Sequence, residues 1–256
     1  MSVSDTQPSP VRSTYRHGDL RRALVDAGVA LAREGGPGAV VLREVTRRAG
    51  VVPNAAYRHF RNHQALFLAV QAVALGELAR AMEREWAKTL RIDNSAERAR
   101  AQLRAVGIGY LEFAQTETGL FRTAFPVSGT EPLEPDEAAH RGQLGLSPFG
   151  LLGAALDAMV QAGVLAATKR PQAEYLAWSA VHGMALLSID GPLRHAPRAA
   201  RQALGERHLA TASLVRHRNR DRFLQVVAGN GLNAVEPITQ HAPPFVLGHN
   251  HANRYR

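Results

Sequence analysis

The sequence predicts an all-α protein, with a three-helix head carrying a helix-turn-helix followed by a larger helical body. Three observations predict it. Apolar residues recur at helical spacing along most of the chain, no stretch alternates as a strand does, and Leu42 to Phe60 reads as two short helices joined by a tight turn. In that last segment, LREVTRRAGVVPNAAYRHF, the residues Leu42, Val45 and Ala49 fall on one helical face. Gly50 breaks the helix where a positive φ is needed and Val51 plugs the corner. Pro53 suits the first turn of a second helix ending in Tyr-Arg-His-Phe. Such a unit presents its second helix to a DNA major groove.

The remaining elements follow in order. Residues 1–15 are polar and rich in Pro and Ser, and read as a disordered basic arm. A first helix spans about His17 to Glu34, with Leu20, Leu24, Ala27 and Leu31 on one face and a Gly-Gly-Pro-Gly stop. Beyond the turn unit, one long helix begins at Asn62, apolar at its start and charged toward its end. Ile92 to Ser95 connects it to a helix over Glu97 to Thr116, whose Leu103, Val106, Tyr110 and Phe113 are spaced for a buried face. A short turn or helix from Gly119 closes on Phe125. Pro126 to Pro148, with four prolines and three glycines, reads as a long loop. Phe149–Ala167 and Pro171–Ile189 are two apolar helices, and a last one spans about Pro197 to His217, with Val227 as an alternative end. Past Gly229 the pattern fades into disorder.

Charge is uneven within the net +9. Residues 1–65 carry ten Arg against five acids, residues 66–190 eleven Lys or Arg against fourteen, and residues 191–256 ten Arg against three. A basic head on a mildly acidic body suits a protein that grips phosphates at one end. With no cysteine, disulfides and thiolate metal sites are excluded. Six of the eleven histidines fall in the last 66 residues without a helix to converge them, so no metal site and no cofactor is expected. No G-x-S-x-G, phosphate-cradling loop or H-E-x-x-H occurs, and an enzyme is not expected. No signal peptide is expected, and no run approaches the ~18 apolar residues of a membrane span. The expectation is a soluble cytoplasmic protein without a membrane partner.

The segments HGDLRRALVDAGVALAREGG, LREVTRRAGV and AAYRHFRNHQALF, in that order and spacing, resemble the head of the TetR family of bacterial transcriptional regulators. GYLEFAQTETGLFRTAF (109–125) and AWSAVHGMALL (177–187) look like the subgroup with Trp-(x)3-His-Gly in the C-terminal domain. The resemblance covers roughly residues 15 to 205. It implies a DNA-binding head over 16–76 with its helix-turn-helix at 41–60, a ligand-binding and dimerisation body over 77–218, and a basic tail over 219–256. The protein it implies is a homodimeric, ligand-responsive repressor on a near-palindromic operator. Its dimer interface would be the last two body helices, and its effector a small molecule.

Carried over residue by residue, the resemblance points Pro53, Asn54 and Ala55 at base edges, where Asn54 can pair with adenine. Tyr57 and His59 match backbone or groove-edge contacts, and Arg58 adds charge. Arg43 and Arg47 lie where the second helix crosses the phosphates, and His63 stands at a position usually held by Lys. Ala56 and Phe60 should face the head's core. Val41 and Val52 replace the usual Ser or Thr N-caps, a loss of about 1 kcal/mol each, and Thr118 replaces a common Pro. These departures motivate an alternative, a dimeric ligand-binding or interaction protein with weakened, non-specific DNA binding. In the body, Trp178 and His182 share a helix face at i, i+4. With Tyr110, Phe113, Phe121 and Phe125 they are candidates for a ligand pocket. The plainer reading is a packed core, with Gly183 allowing a neighbouring helix close.

Overall fold

The computed structural model describes residues 17–126 and 138–214; the readings for residues 1–15, for 127–137 and for everything past 214 lie outside the described residues. Nine α-helices run in order among the described residues, with no strand. They are α1 (His17–Gly35), α2 (Leu42–Arg48), α3 (Pro53–Ala56), α4 (His63–Ala87), α5 (Ser95–Thr116), α6 (Thr118–Ala124), α7 (Pro148–Gln161), α8 (Ala173–Ile189) and α9 (Arg198–Leu214). The all-α expectation holds, and most boundaries fall within two residues of the sequence reading.

Helix ends are set by local chemistry. The Asn62 side chain accepts from Ala65 N at 2.8 Å and the Asn94 side chain from Glu97 N at 2.9 Å, which starts α4 and α5. Ser147 Oγ accepts from Gly150 N at 3.1 Å, so Pro148 is the first residue of α7 and not the end of a loop. The same helix stops at Gln161, six residues short of the expected Ala167. Gly163 takes φ 67, and Val164 N reaches back to Met159 O at 2.8 Å, closing the C-terminus in a Schellman turn.

The core is organised around α4, which packs on α1 in the head and on α5, α6 and α7 in the body. Leu66, Val70, Ala74, Leu78 and Met82 are fully buried along it. By length and composition alone this helix could cross a bilayer, contrary to the expectation that no stretch is apolar enough. Most of that stretch is buried inside the fold, so its apolarity serves the core of the protein. Two close contacts seat the segment after residue 137 on α4. Ala139 O lies where a Cβ on Gly76 would be, and the buried Glu83 carboxylate accepts from Gln143 N and Leu144 N, each at 2.8 Å.

Candidate functional site

Two groups of residues stand out, one on the head and one in the body. In the head, α2 ends in the way Gly50 predicts. This glycine takes φ 70, its N–H donates to Arg47 O at 3.2 Å, and Val51 N donates to Thr46 O at 3.0 Å. Val52 is extended, and Pro53 opens a single helical turn, α3, rather than the longer helix expected through Phe60. Phe60 N and His59 N both donate to Ala56 O at 2.9 Å, which continues the turn beyond α3. Ala56 and Phe60 are buried in the head's core, as expected, and the Arg21 guanidinium lies 5.0 Å over the Phe60 ring.

Anchoring those two side chains turns the others outward. Pro53, Asn54 and Arg58 are exposed, Tyr57 is 55% exposed, and Ala55 and His59 are half-buried. On α2, Arg43 is exposed, whereas Arg47 pairs with Glu44 at 2.8 Å and Arg48 pairs with Glu34 of α1. His63 uses Nε2–H to donate to Val40 O, which ties the start of α4 to the loop before α2. In its neutral form that ring has no second N–H to offer a phosphate. Neither Val41 nor Val52 makes a side-chain cap, though both adopt the extended conformation that an N-cap requires.

In the body, five rings meet. Tyr110 of α5 packs edge-on to Phe121 at 5.4 Å and to Trp178 at 5.2 Å, and Phe125 lies 5.2 Å from His182 and 5.7 Å from Trp178. The Tyr110 hydroxyl is 2.6 Å from His182 Nδ1. Burial pushes the Tyr110 phenol well above its usual range and holds the His182 imidazole below its own. Five of the six candidate pocket residues thus form one cluster. Phe113 is buried on α5 and makes no ring pairing with these five among the described residues. Phe149 and Tyr175, which the sequence reading missed, extend the cluster outward through Trp178. Gly183 does not let a helix of its own chain close in, since a Cβ there would meet nothing within 4 Å.

Between head and body stands α6. Arg33 of α1 donates to Glu117 at 2.8 Å, and Gly119 packs so tightly that a Cβ would lie 2.3 Å from Ala32 O. Gln71 of α4 donates to Ala124 O at 3.1 Å, and Arg122 pairs with Asp190 at the end of α8. Glu117, Gly119, Arg122 and Ala124 lie within the quoted 109–125 segment, but their partners on α1, α4 and α8 are set only by the docking of α6.

Comparison with known proteins adds to this geometry. Residues 24–70 match the model for bacterial regulatory proteins of the tetR family, and residues 103–212 match that for the tetracyclin repressor-like C-terminal domain. Among curated proteins no match was found. Of solved structures, a protein of unknown function from Rhodococcus sp. RHA1 is similar at 23% identity and TM-score 0.53, covering 79% of this chain and 95% of its own. The transcriptional regulator FadR from Bacillus subtilis, solved in complex with stearoyl-CoA, is similar at 15% identity and TM-score 0.50, covering 77% of this chain and 99% of its own. At these identities the two structures speak to the fold alone. A helix-turn-helix head with an outward α3, joined through α4 and α6 to a helical body, agrees with both matched models, and the chain belongs to the TetR family of transcriptional regulators.

Proposed function

We propose that this DNA-binding regulator is a ligand-responsive repressor that acts as a cytoplasmic homodimer on a near-palindromic operator and has no enzymatic activity. The observation that carries the reading is the division of one short turn into two faces. Ala56 and Phe60 are buried, while Asn54, Tyr57 and Arg58 project from the same backbone into solvent. A set of exposed amide, phenol and guanidinium groups on an anchored turn is what a major groove and its phosphates accept. Two such heads would sit about 34–36 Å apart, one helical turn of DNA.

Dimerisation is supported by α8 and α9, whose outer faces leave Leu176, Leu187 and Leu204 exposed. The division into a head over 16–76 and a body over 77–218 places the boundary inside α4, which makes that helix the stiff connection between them. An effector at the aromatic cluster would act through α6, since Phe121 belongs to the cluster while Glu117 and Gly119 touch α1. It must bind the two head spacings with different affinity to shift their populations.

Gel shift on DNA from the gene's own upstream region tests the assignment. Replacing Tyr57 and His59 together by Ala should abolish the shift without changing helical content; binding that survives the double substitution sinks it. Val41, Val52 and His63 favour a second reading, a dimeric ligand-binding protein with weakened DNA contact. That reading gains if the shift is feeble, strongly salt-dependent and indifferent to sequence.

A further inference from the structure

The Tyr110–His182 pair determines which nitrogen of the imidazole carries its proton. Tyr110 is 1% exposed, and among the described residues its hydroxyl has one hydrogen-bonding partner, His182 Nδ1 at 2.6 Å. A phenol must place its own proton before it accepts another. If Nδ1 were protonated and donated to the phenol oxygen, the phenol proton would have no acceptor among the described residues, an arrangement that buried hydroxyls avoid. The phenol therefore donates and Nδ1 accepts. Burial favours the neutral form of both groups, in keeping with that assignment. A neutral imidazole that accepts at Nδ1 carries its hydrogen on Nε2.

That Nε2–H has no partner in the protein among the described residues, and it is not among the buried polar atoms left unpaired. The ring is half-buried, so this donor reaches accessible space. Its surroundings are aromatic: Phe125 stands edge-on at 5.2 Å, and Phe121 lies tilted by 30° at 5.8 Å. Trp178 continues the wall to Phe149, which is 36% exposed and leads out to solvent. The cluster thus offers aromatic faces and one fixed donor, and its rings carry no anion to pair a cation.

We infer that the aromatic cluster receives an uncharged, largely apolar ligand of aromatic-ketone type, which places one acceptor oxygen on His182 Nε2–H. This rests on reading the cluster as the effector site, and it gives that site a chemical class. A ligand without the acceptor leaves the donor desolvated and unpaired. A ligand bearing an ammonium group finds ring faces but no carboxylate among these five side chains to offset its lost hydration, and binds more weakly than a neutral ligand that uses the donor.

Histidine-selective 15N labelling of the full chain, read by long-range proton–nitrogen spectra, tests both steps, with His182→Phe identifying the resonances. The free protein should show His182 as the Nε2–H tautomer, and Tyr110→Phe should release it to a mixture of tautomers. Acetophenone should move the Nε2 resonance. Ethylbenzene, which lacks only the oxygen, should bind at least fivefold more weakly, and 2-phenylethylammonium should also bind more weakly than acetophenone. In His182→Phe the preference for acetophenone over ethylbenzene should vanish. An Nδ1–H tautomer, equal binding of the two neutral probes, or no response to any probe overturns the inference. Gel shift on upstream DNA separates this from the wider reading. Operator binding with any of those three results removes the ligand assignment alone, whereas loss of operator binding in the unmodified protein removes the regulator and leaves the spectra to decide the site.

Discussion

A single imidazole shows how the fold sets the behaviour of a residue that the sequence leaves ambiguous. At i, i+4 from Trp178, His182 could have been a ligand anchor or a core histidine. The structure seats it against Tyr110, Phe121 and Phe125, and burial lowers its affinity for a proton. A stability effect follows, and its sign can be worked out. In the unfolded chain the imidazole titrates near 6.5, so well above about pH 7 it is neutral in both states and contributes no pH dependence. As the pH falls through about 6.5 the unfolded chain takes up a proton that the folded chain resists, and stability drops until the folded value is passed. Melting temperatures measured from about pH 7.5 down to about pH 5.5 should therefore decline more steeply in the native protein than in His182→Phe. Parallel profiles would show that this ring carries no such linkage. Tyr110, the other titratable group in the cluster, stays protonated throughout, because burial moves it the other way.

Among elements, helix ends decide most of what sequence reading could and could not find. Gly50 was legible because a glycine after an apolar helical run signals a positive φ, and it takes φ 70. Gly163 carried the same signal, but apolar residues continue past it to Ala167 and masked the stop. Asn94 with Glu97 three residues on was a readable start that the apolar spacing beginning later concealed. The ring cluster was legible in part: five of the six aromatic and histidine candidates meet, while Phe113 stands apart and Phe149 and Tyr175, at the outer end, carried no signal. Its closure by a tyrosine–histidine hydrogen bond was not, because contacts between distant helices leave no local pattern. Val41 and Val52 lack any cap bond yet already hold the N-cap conformation, and they are 48% and 68% exposed. Val41→Ser and Val52→Ser should thus each raise stability by about 1 kcal/mol, read by urea unfolding. A loss of stability in either would mean that the isopropyl group packs usefully. Gly119 makes the opposite case. A Cβ there would lie 2.3 Å from Ala32 O and 2.6 Å from Arg33 O, backbone atoms that cannot swing aside. Gly119→Ala should cost about 1–3 kcal/mol and change operator affinity by forcing α1 and α6 apart. Glu117→Gln should cost less than about 1 kcal/mol, because its ion pair with Arg33 is partly solvated on both sides. If the two variants were equally damaging, the joint would depend on the charge and not on the close approach.

For the whole molecule, the outer faces of α8 and α9 are the feature that a lone protomer leaves unexplained. Leu176, Ala180, Gly183 and Leu187 recur at spacings of four, three and four, which places them in one stripe along α8. Leu176 is 59% exposed and Leu187 45%, while Trp178, Val181 and Ala185 face the interior. A Cβ on Gly183 would meet nothing, so the middle of the stripe is a shallow depression between two leucines. Leu204 on α9 adds a further 40%-exposed side chain. A second copy laid against this face would bury those leucines, at roughly 25 cal/mol per Å² of apolar surface removed from water. Its two-fold symmetry would set the two α3 turns to face the same side of a duplex. Replacing Leu187 by Arg tests this without endangering the protomer, since the side chain it removes is already half in solvent. Sedimentation should give about half the native mass with unchanged helical content. Operator affinity should fall by far more than the loss of any one contact explains, because two linked heads bind as one and separate heads do not. A native protein that sediments as a monomer, or a Leu187→Arg variant that remains dimeric and binds as before, would remove α8 as the interface and with it the paired-head reading of the operator.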